Sequence, residues 1–536
     1  MTLLVREVTS SVSSSISQTA AQVESRRQRL INYLVFSIVA SLYLLPFMRL
    51  LLTGTDEGQF ISGAARIAQG QVFARDFFEI VGPGTFYWVA LFFKLFGVTF
   101  VATRGCLFVT SLTTGLLIYF LSCQVCVRYR ILPAIILAGT SFGMIWPTVS
   151  HHLNSNCVSL AAVACTILWL NSNKTVFLMF AGVLAGVATS FHLPKGIFLL
   201  FALIVWVWTQ HRQRSVSLSA LLWLIAGYGS VVGIITAYFW SQHALWDLFN
   251  ANYLFPSQHY GAMNSVPYGL GIFEYYWKSW TDASNGVSPA VVMGSILIIP
   301  FLVIAALPVL LPIIGIWQRK SFAKPEIALY WLCGWALWLA EYHRKDIWHL
   351  VAGSPLLIIL LVFYLERDEQ RFTNVALQVI AISSVCLALF YCLLALSAHI
   401  MVTRVGEVAV FKPDPIVTQL DTRTAPGEEI FVYPDNPIYY FLSETKNPIR
   451  LSGLMHDYNN RSEFEDVVRI LDQHQVKYVV WDASYNKDVL KMYFPSAKVV
   501  RADQLIIETY LESHYKTVWA EGESRLLERK DNDQIR

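Results

Sequence analysis

Long apolar runs recur between residue 31 and residue 398 and are separated by short polar loops. A helix needs roughly 20 apolar residues to cross about 30 Å of hydrocarbon, and about eleven runs approach that length. The pattern therefore predicts a polytopic α-helical membrane protein whose spans form one bundle. The predicted spans are 31–52, 103–122, 131–148, 157–171, 176–191, 196–210, 217–240, 289–316, 326–340, 347–365 and 373–398.

Composition supports this prediction. The chain has 536 residues, of which 55% are hydrophobic and 14% charged. Its mean hydropathy is +0.48. Soluble domains carry about 25% charged residues. The net charge of +3 is too small to indicate a nucleic-acid partner.

The distribution of charge predicts the orientation. Residues 1–30 form a polar tail, and its basic segment, 26–29, directly precedes the first span. The positive-inside rule therefore places the N-terminus in the cytoplasm of a cell (inner or plasma) membrane. With eleven spans, the loops on the cytoplasmic side are short and basic. The loops on the opposite side contain acids, histidines and cations. The active site is accordingly predicted on the non-cytoplasmic face.

After the core at 31–399, the composition becomes polar. Residues 430–433 and 476–481 have strand patterns, and 462–474 have helical periodicity between them. Alternating strand, helix and strand predict a small exterior α/β domain over 400–536.

The first exterior loop carries the most informative residues, because Asp56 and Glu57 directly follow the first apolar run. Apolar side chains at helical spacing predict a helix over 56–70, and an aromatic helix follows at 84–96; both suit the membrane interface. Asp56 is a candidate cap of the first of these helices and a candidate catalytic residue, and the two roles are compatible. Glu57 is a candidate to support Asp56 from behind or to orient the acceptor. Asp76 and Glu79 are candidates for the substrate cleft. They could share a helix face, or either could simply pair with Arg75 or Arg66.

Cations and histidines are concentrated in the other loops predicted outside. Lys195 is a candidate for binding a lipid phosphate, or it extends to the interface by snorkelling. Arg344 and Lys345 are candidates for the same role unless Glu341 or Asp346 neutralises them. The other candidates for the substrate cleft are His151, His152, Asn154, His192 and His349. No pair of residues stands out with the spacing of metal ligands on one helix, so the sequence assigns no metal site. It leaves open whether the protein binds a divalent metal.

The first loop resembles that of the GT-C glycosyltransferases, and in particular the protein O-mannosyltransferase and lipid A aminoarabinose transferase group. The resemblance rests on Asp56-Glu57-Gly58, the helix ending at Gly70, Arg75-Asp76-Phe77 with Glu79, Gly82-Pro83-Gly84, the helix ending at Gly97, and Arg104. It implies that Asp56 is the base that activates the acceptor. It also implies a polyprenyl-phosphate sugar donor and inversion at the anomeric carbon. After Glu79 this chain has Ile-Val-Gly-Pro, where aminoarabinose transferases tend to have Lys-Pro.

The sequence thus predicts an inverting glycosyltransferase whose donor is a polyprenyl-phosphate sugar and whose acceptor is a lipid, glycan or protein. A transporter or flippase of lipid-linked sugars is the alternative, favoured by Pro300, Pro308 and Pro312 within one span. A scaffold subunit would explain the exterior domain but not Asp56.

Overall fold

The computed structural model describes residues 26–143, 145–214, 219–260, 264–281, 289–368, 370–485, 490–498 and 500–531. Most of the predicted polar tail lies outside these residues. Residues 1–45 and residues 46–536 form two compact units. The described part of the first unit contains helix α1, Arg26–Leu44. The second unit contains all the other helices and strands.

The apolar part of the second unit is almost entirely helical. Its α-helices are α2 Asp56–Ala68, α3 Gly84–Phe96, α4 Phe100–Val125, α5 Leu132–Thr140, α6 His151–Ser172, α7 Val176–Phe191, α8 Leu193–Arg214, α9 Ser219–Ser241, α10 Leu245–Phe249, α11 Lys278–Thr281, α12 Pro289–Leu297, α13 Ile299–Trp317, α14 Pro325–Glu341, α15 Ile347–Gly353, α16 Pro355–Arg367 and α17 Arg371–Leu396. Short π-helical segments lie at Asn250–Leu254, Pro256–Tyr260 and Ile272–Trp277.

Seven helical segments of the described chain are long and apolar enough to cross a membrane, so the protein is a multi-pass helical membrane protein. The pair α15 and α16, bent by 72° at Ser354, would make an eighth. Helices α3 and α7 are apolar but shorter. The predicted count of about eleven, the orientation and the division at residue 400 stay predictions.

Two predicted spans differ in detail from the structure. The run 131–148 contains a helix only as far as Thr140; beyond it the backbone turns at Gly143, whose φ is 119°. In the run 289–316, Pro308 and Pro312 lie inside the continuous helix α13. The interruption falls at Ile298 instead, just before Pro300. The two inner prolines therefore do not break the span.

Both helices predicted in the first exterior loop are confirmed as α2 and α3. Acidic side chains in the first turn of α2 and Arg66 in its last turn match the helix dipole. The chain leaves α2 at Gly70, whose φ of 95° is readily adopted only by glycine.

The C-terminal part combines helices with two small sheets. Its elements are β1 His399–Thr403, β2 Gly406–Val410, α18 Pro415–Arg423, β3 Ile430–Tyr433, α19 Ile438–Leu442, α20 Arg461–Gln473, β4 Tyr478–Asp482, α21 Leu490–Tyr493, α22 Ile506–His514, β5 Tyr515–Glu521 and β6 Ser524–Arg529. Strands β1 and β2 form a hairpin, and the larger sheet has the order β3-β4-β6-β5. Strands β3 and β4 are parallel, and the other pairs are antiparallel. The predicted strand, helix and strand are confirmed as β3, α20 and β4.

The turn after β3 packs directly on α2. Ser62 donates a hydrogen bond to the Pro437 carbonyl at 2.7 Å, and the Ile438 amide donates to the Gly54 carbonyl at 3.3 Å. A Cβ on Gly58 would lie 2.5 Å from the Ile438 nitrogen. Glycine at this position therefore lets the C-terminal part approach the helix that begins with Asp56.

We predict that Gly58→Ala lowers the melting temperature of the purified protein, because the added methyl group meets backbone. Overpacking of this kind costs about 1–3 kcal/mol. Gly229→Ala is the matched control, since a Cβ there meets nothing within 4 Å. Equal melting temperatures for both variants in a thermal unfolding assay would contradict the close packing described here.

Candidate active site

The start of α2 is fixed by a buried ion pair between Glu57 and Arg104. The guanidinium donates to both carboxylate oxygens, at 2.5 and 3.0 Å, and to the Leu50 carbonyl at 2.6 Å. The Val149 amide donates to Glu57 at 2.8 Å. Both side chains are at most 1% exposed. The contacts of Glu57 are therefore those of a supporting residue that positions its neighbour, which is one of the two roles that the sequence left open for it.

Asp56 stands beside this ion pair with a different environment. It is the first residue of α2, and Thr55 precedes it as N-cap without a side-chain hydrogen bond. Within the described residues, no hydrogen bond or ion pair holds the partly buried Asp56 carboxylate. The pKa of Asp56 is raised, mainly by burial. Asp346 adds to this shift, and Arg344 and His349 oppose it. The carboxylate is thus available to a ligand, and the helix cap that the sequence left open is not formed by its side chain.

Two further acids share the electrostatic environment of Asp56. Burial raises the pKa of Asp435 to about 7, and Asp56 adds to the increase. Burial also raises the pKa of Glu79 to about 8, with Asp435 and Asp56 contributing. Asp435 lies in the turn after β3, so the C-terminal part supplies one of the three acids. At neutral pH, Glu79 is therefore mostly protonated, and Asp435 is protonated in about half of the molecules.

Arg344 brings positive charge to the same region but is fully engaged. Its guanidinium donates to Asp346 at 2.5 Å, to Asn264 at 2.8 Å and to the Tyr493 carbonyl at 2.6 Å. Asp346 also contacts His349 Nδ1 at 2.8 Å and caps α15 by accepting from the His349 amide. These contacts keep the pKa of Asp346 well below its usual range, against the effect of burial. Arg344 and His349 also lower the pKa of Asp56, so both lie within electrostatic range of that carboxylate.

Lys195 lies in a second, wholly buried group. Its ammonium contacts Glu341 at 2.5 Å and Asn156 at 2.8 Å. His152 Nδ1 contacts the same Glu341 oxygen at 3.0 Å. The His152 and His349 rings are 4.9 Å apart, so this group adjoins that of Asp346. Glu341 neutralises Lys195, which is the alternative that the sequence raised for Arg344 and Lys345.

The other predicted residues lie around these groups. Asp76 pairs with Arg75 at 2.8 Å and accepts from the Val72 amide, so it stabilises its own loop. Asn154 donates to Thr85 at 3.2 Å and ties α6 to α3. The His151 ring contacts the His152 and Phe60 rings, each at a tilted angle.

Lys345 keeps its charge accessible. It is partly exposed, its ammonium lies 5.5 Å from the centre of the Tyr342 ring, and no carboxylate of the described residues pairs with it.

Histidines from several helix ends gather around Glu341. His152, Glu341 and His349 place one ligand atom each within 4.8 Å of one another, and His192, Glu341 and His343 do the same. His343 reaches solvent, but partial desolvation of its ring and the neighbouring His349 lower its pKa to about 4, so its imidazole is neutral at physiological pH. The sequence offered no pair of ligands spaced along one helix, because these residues come from five places: the start of α6, the junction of α7 and α8, the end of α14, the segment before α15, and α15 itself.

Sequence reasoning missed Asp435 as a site residue and treated Arg104 as a motif residue without a partner. Asp435 sits in Pro434-Asp435-Asn436-Pro437, whose composition is typical of a turn. A turn that follows a buried strand and carries an acid between two prolines was the available signal.

Two solved structures resemble this one over nearly the whole chain. ArnT from Cupriavidus metallidurans, bound to undecaprenyl phosphate, has a TM-score of 0.55 at 12% identity, with 94% of this chain and 98% of that chain covered. The archaeal oligosaccharyltransferase AglB from Archaeoglobus fulgidus, in complex with an inhibitory peptide and a dolichol-phosphate, has a TM-score of 0.51 at 10% identity; 94% of this chain and 74% of that chain are covered. The fold is that of the GT-C glycosyltransferases.

This finding confirms at the level of fold the resemblance carried by the first exterior loop. No family model matches the chain, and no curated protein matches it by sequence. The GT-C fold was therefore recognisable from short motifs and topology, although overall sequence similarity is too low to reveal it.

We predict that Asp435→Asn stabilises the protein more at pH 8 than at pH 5. A carboxyl group with a raised pKa binds its proton more tightly in the folded state. Stability therefore falls as pH rises from the unfolded pKa, about 4, through about 7. The amide removes this loss, and melting temperatures across the pH range measure it. Asp503→Asn, at an exposed position, is the control, and an equal effect of Asp435→Asn at both pH values would contradict the raised pKa.

Proposed function

We propose that this protein is an inverting glycosyltransferase that moves a sugar from a polyprenyl-phosphate donor to an acceptor hydroxyl or similar nucleophile on the non-cytoplasmic membrane face. The observation that carries the proposal is the unpaired Asp56 carboxylate beside the buried Glu57–Arg104 ion pair. The neighbouring ArnT structure, which contains undecaprenyl phosphate, supports a lipid-phosphate donor. The acceptor is a lipid, glycan or protein.

Asp56 acts in this proposal as the general base. A base must be unprotonated, within reach of the acceptor proton and held in place. Arg344 and His349 favour the charged form of Asp56, and burial makes that form more basic. Glu79, which is mostly protonated at pH 7, and the protonated fraction of Asp435 can then donate hydrogen bonds to the acceptor or the sugar.

The acceptor oxygen attacks the anomeric carbon as the bond to the phosphate oxygen breaks, and Asp56 takes the acceptor proton. The leaving polyprenyl phosphate departs as an anion, so it needs stabilising positive charge. Lys345 is assigned to contact this phosphate, because Lys195 and Arg344 already hold carboxylates. Arg344 contributes at longer range, and Lys195 keeps Glu341 and His152 in position.

A transporter of lipid-linked sugars is the second candidate. The 72° bend between α15 and α16 is the observation that favours it, because transporters use interrupted helices near their substrates. A transporter would move labelled donor across a bilayer without releasing polyprenyl phosphate. The assay below therefore separates the two functions.

We predict that Asp56→Asn and Asp56→Ala lower transfer by about 10²–10⁴-fold, the usual contribution of a positioned base. The assay supplies membranes that contain the expressed protein and the native acceptors with radiolabelled polyprenyl-phosphate mannose, glucose and arabinose, and measures released polyprenyl phosphate and labelled product. Asp368→Asn, at a loop distant in sequence from the site, is the control. Wild-type transfer by both Asp56 variants at normal expression would remove the central residue of the proposal.

We predict that Lys345→Gln weakens binding of undecaprenyl phosphate about tenfold, the effect of losing one charge-assisted hydrogen bond at a partly exposed site. Titration of the lipid against intrinsic tryptophan fluorescence measures the affinity. Lys324→Gln, an exposed lysine just before α14, should bind as the wild type does. Unchanged affinity in Lys345→Gln would shift the phosphate to another cation.

A further inference from the structure

The carboxylate of Glu341 has one oxygen in use and one without a partner. Oε1 contacts both Lys195 and His152. Oε2 is buried and accepts no hydrogen bond within the described residues. Since a buried, unpaired carboxylate oxygen is costly, this atom calls for a ligand that the protein itself does not supply.

A buried imidazole nitrogen without a partner belongs to the same group. His192 Nδ1 is buried and has no hydrogen-bond partner in the described chain. His343 Nδ1 lies 3.2 Å from the Ala340 carbonyl, and only a protonated Nδ1 can hydrogen-bond to a carbonyl oxygen. The proton on Nδ1 leaves His343 Nε2 with its lone pair, the form that binds metals. His192, Glu341 and His343 can each direct one ligand atom into a region 4.8 Å across.

We propose that His192, Glu341 and His343 bind one divalent transition-metal ion of the Zn²⁺ class, with Glu341 Oε2 as the oxygen ligand. Two imidazoles and one carboxylate form the donor set of open zinc sites, in which a fourth position holds water or substrate. Imidazole ligands favour Zn²⁺, Co²⁺ and Ni²⁺ over Mg²⁺ and Ca²⁺, which prefer oxygen.

The net charge of the residues around Glu341 is compatible with a bound dication and predicts the charge of its fourth ligand. Lys195 and the Glu341 carboxylate cancel, so a bound dication leaves the group with an excess of positive charge. His343 is exposed, so the fourth position faces the outside of the cluster. Electrostatics therefore favours an anionic oxygen there. The metal site itself does not depend on the glycosyltransferase proposal.

The test uses the full-length protein, purified with a tag free of histidine, stripped with a chelator and titrated with Co²⁺. We expect the visible bands of four-coordinate Co²⁺ to saturate at one ion per chain, and Zn²⁺ to displace them. His343→Ala and His192→Ala should weaken Co²⁺ affinity by more than the roughly 10–100-fold that losing an outer-shell partner costs. Glu341→Gln should do the same, and because it leaves Lys195 unpaired, the two histidine variants decide the outcome.

His474→Ala is the matched control, because this histidine lies on the C-terminal part and pairs with Glu429 at 2.8 Å. Its Co²⁺ affinity should equal that of the wild type. Absence of stoichiometric binding, or wild-type affinity in both His192→Ala and His343→Ala, would overturn the proposal. Loss of binding in His152→Ala and His349→Ala alone would also overturn it, by moving the ion to the neighbouring triad. All these readouts are independent of sugar transfer.

Discussion

The buried ion pair between Glu57 and Arg104 is the interaction on which the candidate site depends. It joins the start of α2 to α4, to the carbonyl of Leu50 and to the amide of Val149, just before α6 begins. Removing one partner from such a pair leaves an uncompensated buried charge, which costs about 3–5 kcal/mol. The two adjacent acids thus have different roles. Glu57 is buried in the ion pair and fixes the start of α2, whereas the Asp56 carboxylate stays unpaired among the described residues.

Around Asp56, charge is arranged in opposed pairs with a few exceptions. Asp346 neutralises Arg344, and Glu341 neutralises Lys195, so both cations support other residues. Among the described residues, Asp56, Lys345 and Glu341 Oε2 have no such partner. These groups are unpaired in the described part of the protein itself. In the proposals, Asp56 is the base, Lys345 contacts the donor phosphate, and Glu341 Oε2 is a metal ligand.

The C-terminal part takes part in the site as well as lying next to it. The turn after β3 brings Asp435 to α2, and Gly58 makes the close approach possible. Tyr493, from α21, accepts a hydrogen bond from Arg344 through its carbonyl. The predicted boundary at residue 400 therefore separates two compositions but does not separate the residues that surround Asp56.

The sequence by itself determined the multi-pass helical class, the two helices of the first exterior loop, the strand, helix and strand of the C-terminal part, and the resemblance to GT-C glycosyltransferases. Hydrophobic periodicity and local motifs carry that information, because both act over one or two turns of chain. Only the tertiary structure decided which charges stay unpaired. Glu57 and Arg104 are 47 residues apart, and Lys195 and Glu341 are far more distant. Partners so remote in sequence meet through packing of whole helices, and no local pattern records which acid each cation will find.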